Sequence, residues 1–248
     1  MEPLLSTGRG LGSDHVSLFG SVLRQPLQEV ADVDLHLVVP RLDRSAFGAL
    51  VAAAEETVQG LAARAGRPWR VELRHGPFKP APGAVRELQL HLLLDDDVSL
   101  TRSPCVLLAH RAARGRVLVG EPLLARRTDC GSPATWLREA RAELTRWRDA
   151  LAAREIAFRH WVLEPEPDLV EGRAAAATDW DLECLLRGAA TAADLHYRAA
   201  VLTARPAAEL AEDLARPFRS QILSGSWDRV RDQAVAVLER RLDHLSRL

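Results

Sequence analysis

The apolar positions of the first hundred residues fall into short runs separated by turn-forming residues. HVSLF (15 to 19) ends at Gly20-Ser21, which predicts a strand meeting a turn. VDLHLVV (33 to 39), rich in β-branched residues and leucine and stopped by Pro40, predicts a second strand. The alanine-rich stretch FGALVAAAEETVQGLAARAG follows Ser45 and predicts a helix of about five turns at 3.6 residues per turn. Ser45 is its expected N-cap and Gly66 its expected stop. WRVELRH (69 to 75) and ELQLHLLL (87 to 94) read as two further strands, expected to pair as an antiparallel ribbon across the loop GPFKPAPGAVR. In the second of these, Leu88, Leu90, Leu92 and Leu94 share one face and leave Glu87, Gln89 and His91 on the other. One face is therefore core, and the other is available to a site.

From Pro133 onward the pattern changes. WLREARAELTRWRDALAAREIAFRHWVL, DWDLECLLRGAATAADLHYRAAVLTAR and RVRDQAVAVLERRLDHL show helical spacing, interrupted by EPEPDLVEG (164 to 172) and Arg205-Pro206. An all-helical second half is expected, with the boundary near Cys130 to Pro133. Thr178 or Asp179 is expected to cap a helix there, so Asp179 and Asp181 are read as helix-start residues and not as metal ligands.

Composition narrows the class without naming it. The 248 residues are 47% hydrophobic and 27% charged, which suits a folded globular chain long enough for two modest domains. A formal net charge of -1 argues against broad attraction to nucleic acid or anionic membrane. Cys105, Cys130 and Cys184 show no paired spacing, so neither a zinc site nor a disulfide is expected and a reducing cytoplasm suits them. No signal peptide and no membrane span are read from the sequence.

The candidate chemistry lies at the start of the chain. Asp32 and Asp34, two apart on a strand, point to one face, so both carboxylates can bind divalent ions. Gly20-Ser21 comes just before, where glycine allows close approach of backbone to a phosphate and serine offers a donor. Glu72, flanked by Val71 and Leu73, is the expected third carboxylate, as metal ligand or as base for an acceptor hydroxyl. His91 and Gln89 are placed to lie beside it, and Lys79 borders the same loop within reach of a phosphate.

LFGSVLR (18 to 24) followed by ADVDLHLVV (31 to 39) resembles the signature of the DNA polymerase beta-like nucleotidyltransferase superfamily, the small bacterial and antibiotic-modifying members being nearest. The resemblance covers roughly residues 13 to 124, with GRVLVGEPL (115 to 123) similar to the strand that closes the domain. It implies an α/β (α+β) mixed-sheet nucleotidyltransferase domain over 1-130, followed by an all-α helical bundle over 131-248 that selects the substrate. It implies that Gly20, Ser21 and Arg24 contact the triphosphate, and that Asp32, Asp34 and Glu72 are the catalytic, metal-binding carboxylates. Gln25 departs from the pattern, standing where a glycine is common. The implied activity is Mg2+-dependent transfer of a nucleoside monophosphate, AMP from ATP, onto an acceptor hydroxyl with release of pyrophosphate. The expected partners are a nucleoside triphosphate and a small acceptor such as an aminoglycoside, ahead of protein or RNA; a homodimer is compatible with the sequence. The competing reading is a noncatalytic antitoxin or nucleotide-binding module acting on a protein or RNA.

Overall fold

In the computed structural model, residues 1–25, 32–81, 87–204 and 216–248 are described. They group into two compact units: Met1–Ser103 with Leu107–Arg127 and Arg159–Glu171, and Pro104–Val106 with Thr128–Phe158 and Gly172–Leu248.

The first unit is built on a five-stranded mixed sheet. Its strands are β1 (His15–Phe19), β2 (Asp32–Val39), β3 (Trp69–Glu72), β4 (Leu88–Asp96) and β5 (Arg116–Val119), in the order β3-β4-β2-β1-β5. β1 runs antiparallel to β2 and to β5, whereas β2, β3 and β4 are mutually parallel. The expected antiparallel ribbon of β3 and β4 is thus replaced by a parallel pair. The connection 73–87 is long enough to return the chain to the same end of the sheet, as a parallel pairing requires.

Period-two alternation divides the sheet into two faces. Val33, Leu35, Leu37 and Val39 of β2, with Leu90, Leu92 and Leu94 of β4, are buried with Leu4 of helix α1 (Glu2–Gly10) and Leu50, Ala54 and Val58 of helix α2 (Arg44–Ala65). Burying each such leucine contributes roughly 1.5–3 kcal/mol. α2 stops at Gly66, which takes the left-handed conformation at φ 63. Its N-cap is Asp43 and not Ser45: the Asp43 carboxylate accepts from the Ala46 amide at 2.9 Å, and Ser45 already lies in the first turn. At the end of β4, Asp96 and Ser99 form a reciprocal capping box that opens the short helix α3 (Asp97–Thr101). Helix α4 (Cys105–Arg114) follows, and its Leu108 packs with Val38, Leu100 and Leu123.

The second unit holds helices α5 (Pro133–Ala153), α6 (Asp179–Thr191) and α7 (Tyr197–Ala204) and a C-terminal helix, Trp227–Ser246. Gly188 of α6 lies so close to the Trp147 ring of α5 that a Cβ there would overlap it. Thr178 caps α6, with Asp181 completing the box. Arg241 is fully buried and donates to the Ala193 carbonyl, to Asp194 Oδ1 at 3.0 Å and to the Arg216 carbonyl at 2.9 Å.

Two expectations for this half are overturned. The stretch read as one long helix stops at Arg154, which takes a left-handed φ of 57 without a glycine to announce it. The chain continues as strand β6 (Glu155–Val162), which pairs with β7 (Asp168–Ala175), so the region after Pro133 is not all-α. The expected absence of a disulfide also fails, because Cys105 and Cys130 are bonded to each other. That bond leaves no thiolate in the cluster of Cys105, Asp129 and Cys130 to hold a metal. Among the described residues, no helix is long and apolar enough to cross a membrane.

Candidate functional site

The second face of the sheet carries the polar residues. In register across β3, β4 and β2 stand two rows: Arg70, Gln89 and Asp32, then Glu72, His91 and Asp34. Phe19 of β1 is opposite Asp34, and Gly20 follows it at φ 90. A Cβ on Gly20 would fall inside the van der Waals shell of Asp34 Oδ2, so only glycine lets this turn close against the carboxylate. Ser21 opens a short 310 turn, Ser21–Leu23. The structure therefore brings together Gly20, Asp34 and, two residues earlier on the same face, Asp32.

Each aspartate meets a nitrogen of the protein. Lys79 is ion-paired with Asp32, whose side chain is 7% exposed. The pairing is prepared by β4: Gln89, the register partner of Asp32, donates to the Phe78 carbonyl at 2.9 Å and so fixes the residue before Lys79. His91 Nε2 lies 2.8 Å from the Arg74 carbonyl, and Nδ1 lies 3.1 Å from Asp34 Oδ1. Two polar residues of one strand thereby dock the loop that supplies a cation to the site.

Glu72 does not join the aspartates. It sits on β3, one strand beyond β4, with His91 between it and Asp34. Its carboxylate takes the Arg74 amide at 3.0 Å and the Arg74 guanidinium at 2.8 and 2.7 Å. Burial pushes this carboxyl upward, but the hydrogen bonds and charge of Arg74 outweigh it and hold the group below the ordinary glutamate range. The Arg74 guanidinium also stacks 3.6 Å over the Phe78 ring, so Glu72 braces the loop 74–79.

No protein-family model matches this chain, and no curated protein resembles it detectably. The reading of the site rests on its own geometry.

Behind the aspartates lies a network that the sequence did not reveal. Arg111 of α4 donates to His36 Nδ1 at 3.0 Å, so His36 carries its proton on Nε2 and donates it to Asp95 Oδ2 at 2.7 Å. Ser99 Oγ donates to the other Asp95 oxygen at 2.7 Å. Burial first, then the Arg111 charge, lowers the His36 pKa, which agrees with a neutral ring. Asp95 is brought down to about 2: burial opposes this, but the hydrogen bonds from His36 and Ser99 prevail. His36 is two residues beyond Asp34 on the same face, so this network sets the floor of the site. An alternating DxDxH run was the one available signal for it.

Arg24 is exposed beyond the Gly20 turn, and its charge reaches His110 of α4. Burial, then the charges of Arg114, Arg111 and Arg24, depresses the His110 pKa. A basic margin of this kind suits an anionic ligand.

Asp32 and Asp34 are hard oxygen donors on one face, the donor chemistry a divalent ion needs, and the Gly20 turn closes against Asp34. Each carboxylate meets its own protein nitrogen, Lys79 at Asp32 and His91 at Asp34, and Glu72 as placed does not add a third carboxylate beside them.

Proposed function

We propose that this protein is a divalent-metal-dependent nucleotidyltransferase that moves a nucleoside monophosphate, AMP from ATP, onto the hydroxyl of a small acceptor. The observation that carries the reading is the closure of the Gly20 turn on Asp34, with Asp32 beside it on the same face. A glycine turn beside a pair of carboxylates on one face is what phosphoryl chemistry asks of a protein, because its demand is for positioning and charge stabilisation.

In this scheme Asp32 and Asp34 would hold magnesium, and the ion would supply Lewis-acid stabilisation of the charge developing on the phosphates. The Gly20-Ser21 turn receives the triphosphate through backbone amides, and Arg24 lies at its outer margin. Lys79 neutralises Asp32 until the ligand arrives and is then within loop reach of a phosphate oxygen. Glu72 keeps Arg74 and Phe78 in place and so steadies the loop. The acceptor hydroxyl attacks the α-phosphorus, its P–O bond forms as the bond from the α-phosphorus to the bridging oxygen breaks, pyrophosphate leaves, and the hydroxyl proton passes to solvent water. A helical substrate-selecting role for the second half belongs to the same proposal.

One observation favours a second reading. With Glu72 locked to Arg74 and a strand away, the expected third carboxylate does not stand beside Asp32 and Asp34, as suits a noncatalytic nucleotide-binding module or antitoxin. The two readings separate on pyrophosphate release with magnesium, each nucleoside triphosphate and a panel of acceptors. Wild type is expected to release pyrophosphate, and Asp32→Ala/Asp34→Ala to fall by on the order of a thousandfold. Equal release from both proteins would sink the assignment of the aspartates.

A further inference from the structure

We propose that Cys105, Asp129 and Cys130 form a redox-gated zinc site: the disulfide shuts it, and once a dithiol reductant opens that bond the two sulfurs and the Asp129 carboxylate take Zn2+. The site uses none of the residues of the transfer reading and stands apart from it.

Three observations carry the proposal. The first is the gathering of donors within the second unit, where Cys105 is the first residue of α4 and Asp129 and Cys130 stand in the 310 turn Thr128–Gly131. The two sulfurs and an Asp129 oxygen lie within 4.8 Å of one another. Zinc takes sulfur at about 2.3 Å and carboxylate oxygen at about 2.0–2.2 Å, which sets donors around one ion roughly 3.5–3.8 Å apart.

The second is that both cysteines are held by more than the bond between them. The Glu139 carboxylate of α5 accepts from the Cys105 amide at 2.7 Å, and the Trp136 indole of the same helix donates to the Cys130 carbonyl at 2.6 Å. With their Cα atoms 5.4 Å apart and their backbones tied to one helix, the thiols stay face to face after reduction. Side-chain rotation then gives the sulfurs the separation zinc needs. The third is graded access: Cys105 is fully buried and Cys130 is 9% exposed, while Asp129 is open to solvent. An arriving ion meets the carboxylate first and the sulfurs behind it.

The donor types select the ion. Thiolates are soft and favour Zn2+ over Mg2+ or Ca2+, and two thiolates, one carboxylate and a water complete a tetrahedron. Opening the bond takes two electrons from the dithiol. One of its thiolates attacks the Cys130 sulfur, the Cys105 sulfur leaves with the bonding pair and takes a proton, and the second thiol of the reductant resolves the mixed disulfide. Cys130 is freed as a thiol and the reductant ends as a disulfide. Zn2+ then displaces both thiol protons to solvent.

The test uses the full chain with Co2+ as the probe, oxidised, or reduced with dithiothreitol and freed of it under nitrogen. The reduced wild type is expected to show a sulfur-to-cobalt charge-transfer band that added Zn2+ abolishes, and the oxidised protein none. Zn2+ is expected to raise the melting temperature of the reduced protein and not of the oxidised one. Asp129→Asn, a change at an exposed position, is expected to bind Co2+ more weakly by roughly tenfold or more. Cys105→Ser/Cys130→Ser is expected to lose the band, and Cys184→Ala, which removes the remaining cysteine, to keep it. No band in the reduced wild type, an equal band in the oxidised protein, survival of the band in Cys105→Ser/Cys130→Ser, or unchanged affinity in Asp129→Asn would each overturn the proposal.

Discussion

The two faces of the central sheet are written by the same strands and do opposite work. On β2, Val33, Leu35, Leu37 and Val39 enter an apolar core, while Asp32, Asp34 and His36 between them build a charged surface. On β4, Leu90, Leu92 and Leu94 share that core, and Gln89, His91 and Asp95 join the polar side. The apolar face needs only volume and water exclusion. The polar face needs each group matched: Asp34 by His91, Asp32 by Lys79, and His36 by Asp95 and Arg111. Substitutions should therefore separate the faces, the first by stability alone and the second by stability or chemistry according to depth.

The largest effect is expected from a charge on the core face. Leu35→Asp places a carboxylate in a fully buried apolar cluster and should cost about 5 kcal/mol or more, leaving little folded protein by circular dichroism. A native spectrum and an unchanged melting temperature would break the division into faces.

Next is the floor of the polar face. Asp95→Ala strands the His36 N–H, the Ser99 hydroxyl and the Arg111 charge, and should cost about 3–5 kcal/mol in urea unfolding. A cost under about 1 kcal/mol would mean the network contributes little.

Acid should weaken the polar side first. Burial lowers His15 to about 4 and His75 to about 3, so both stay neutral in the folded protein. Their unfolded counterparts take up protons below pH ~6.5. Their contribution is thus complete above that pH and is lost as pH falls toward 4 for His15 and toward 3 for His75. The loss is at most about 1.4 kcal/mol per pH unit for each ring. Below pH ~4 the Asp95 pair begins to fail as well, since its lowered pKa stabilises only above the unfolded carboxylate range. Melting temperatures that stay level from pH 7 to 4.5 would contradict this.

The smallest effect separates support from chemistry. Glu72→Gln loosens Arg74 and should cost about 1–2 kcal/mol of stability while turnover changes by no more than a few-fold. A hundredfold loss of turnover would return Glu72 to the catalytic set.

Much of this arrangement was legible before the structure. Alternation in DVDLHLVV and ELQLHLLL assigned both faces, and Gly66 marked the end of α2, because those features depend on neighbours in sequence. Strand order depends on the whole sheet, and for that reason Glu72 was placed beside Asp34 when β4 in fact intervenes. Arg111 arrives from α4, far from its partners in sequence, with no motif to announce it. The β6-β7 pair was hidden because Arg154, an ordinary helix former, ends α5 in a conformation that glycine usually signals. Cys105 and Cys130, 25 residues apart, meet only through the fold.

The most direct measurement is pyrophosphate release by wild type and Gly20→Ala with ATP and a divalent ion. The added methyl group changes no charge, and the atoms nearest to it all belong to the Asp34 side chain. Wild type is expected to turn over, and Gly20→Ala to be slower by roughly a hundredfold, the cost of displacing one catalytic group. Its melting temperature should stay within a few degrees of wild type. Equal turnover by the two proteins, or none from wild type, would contradict the account.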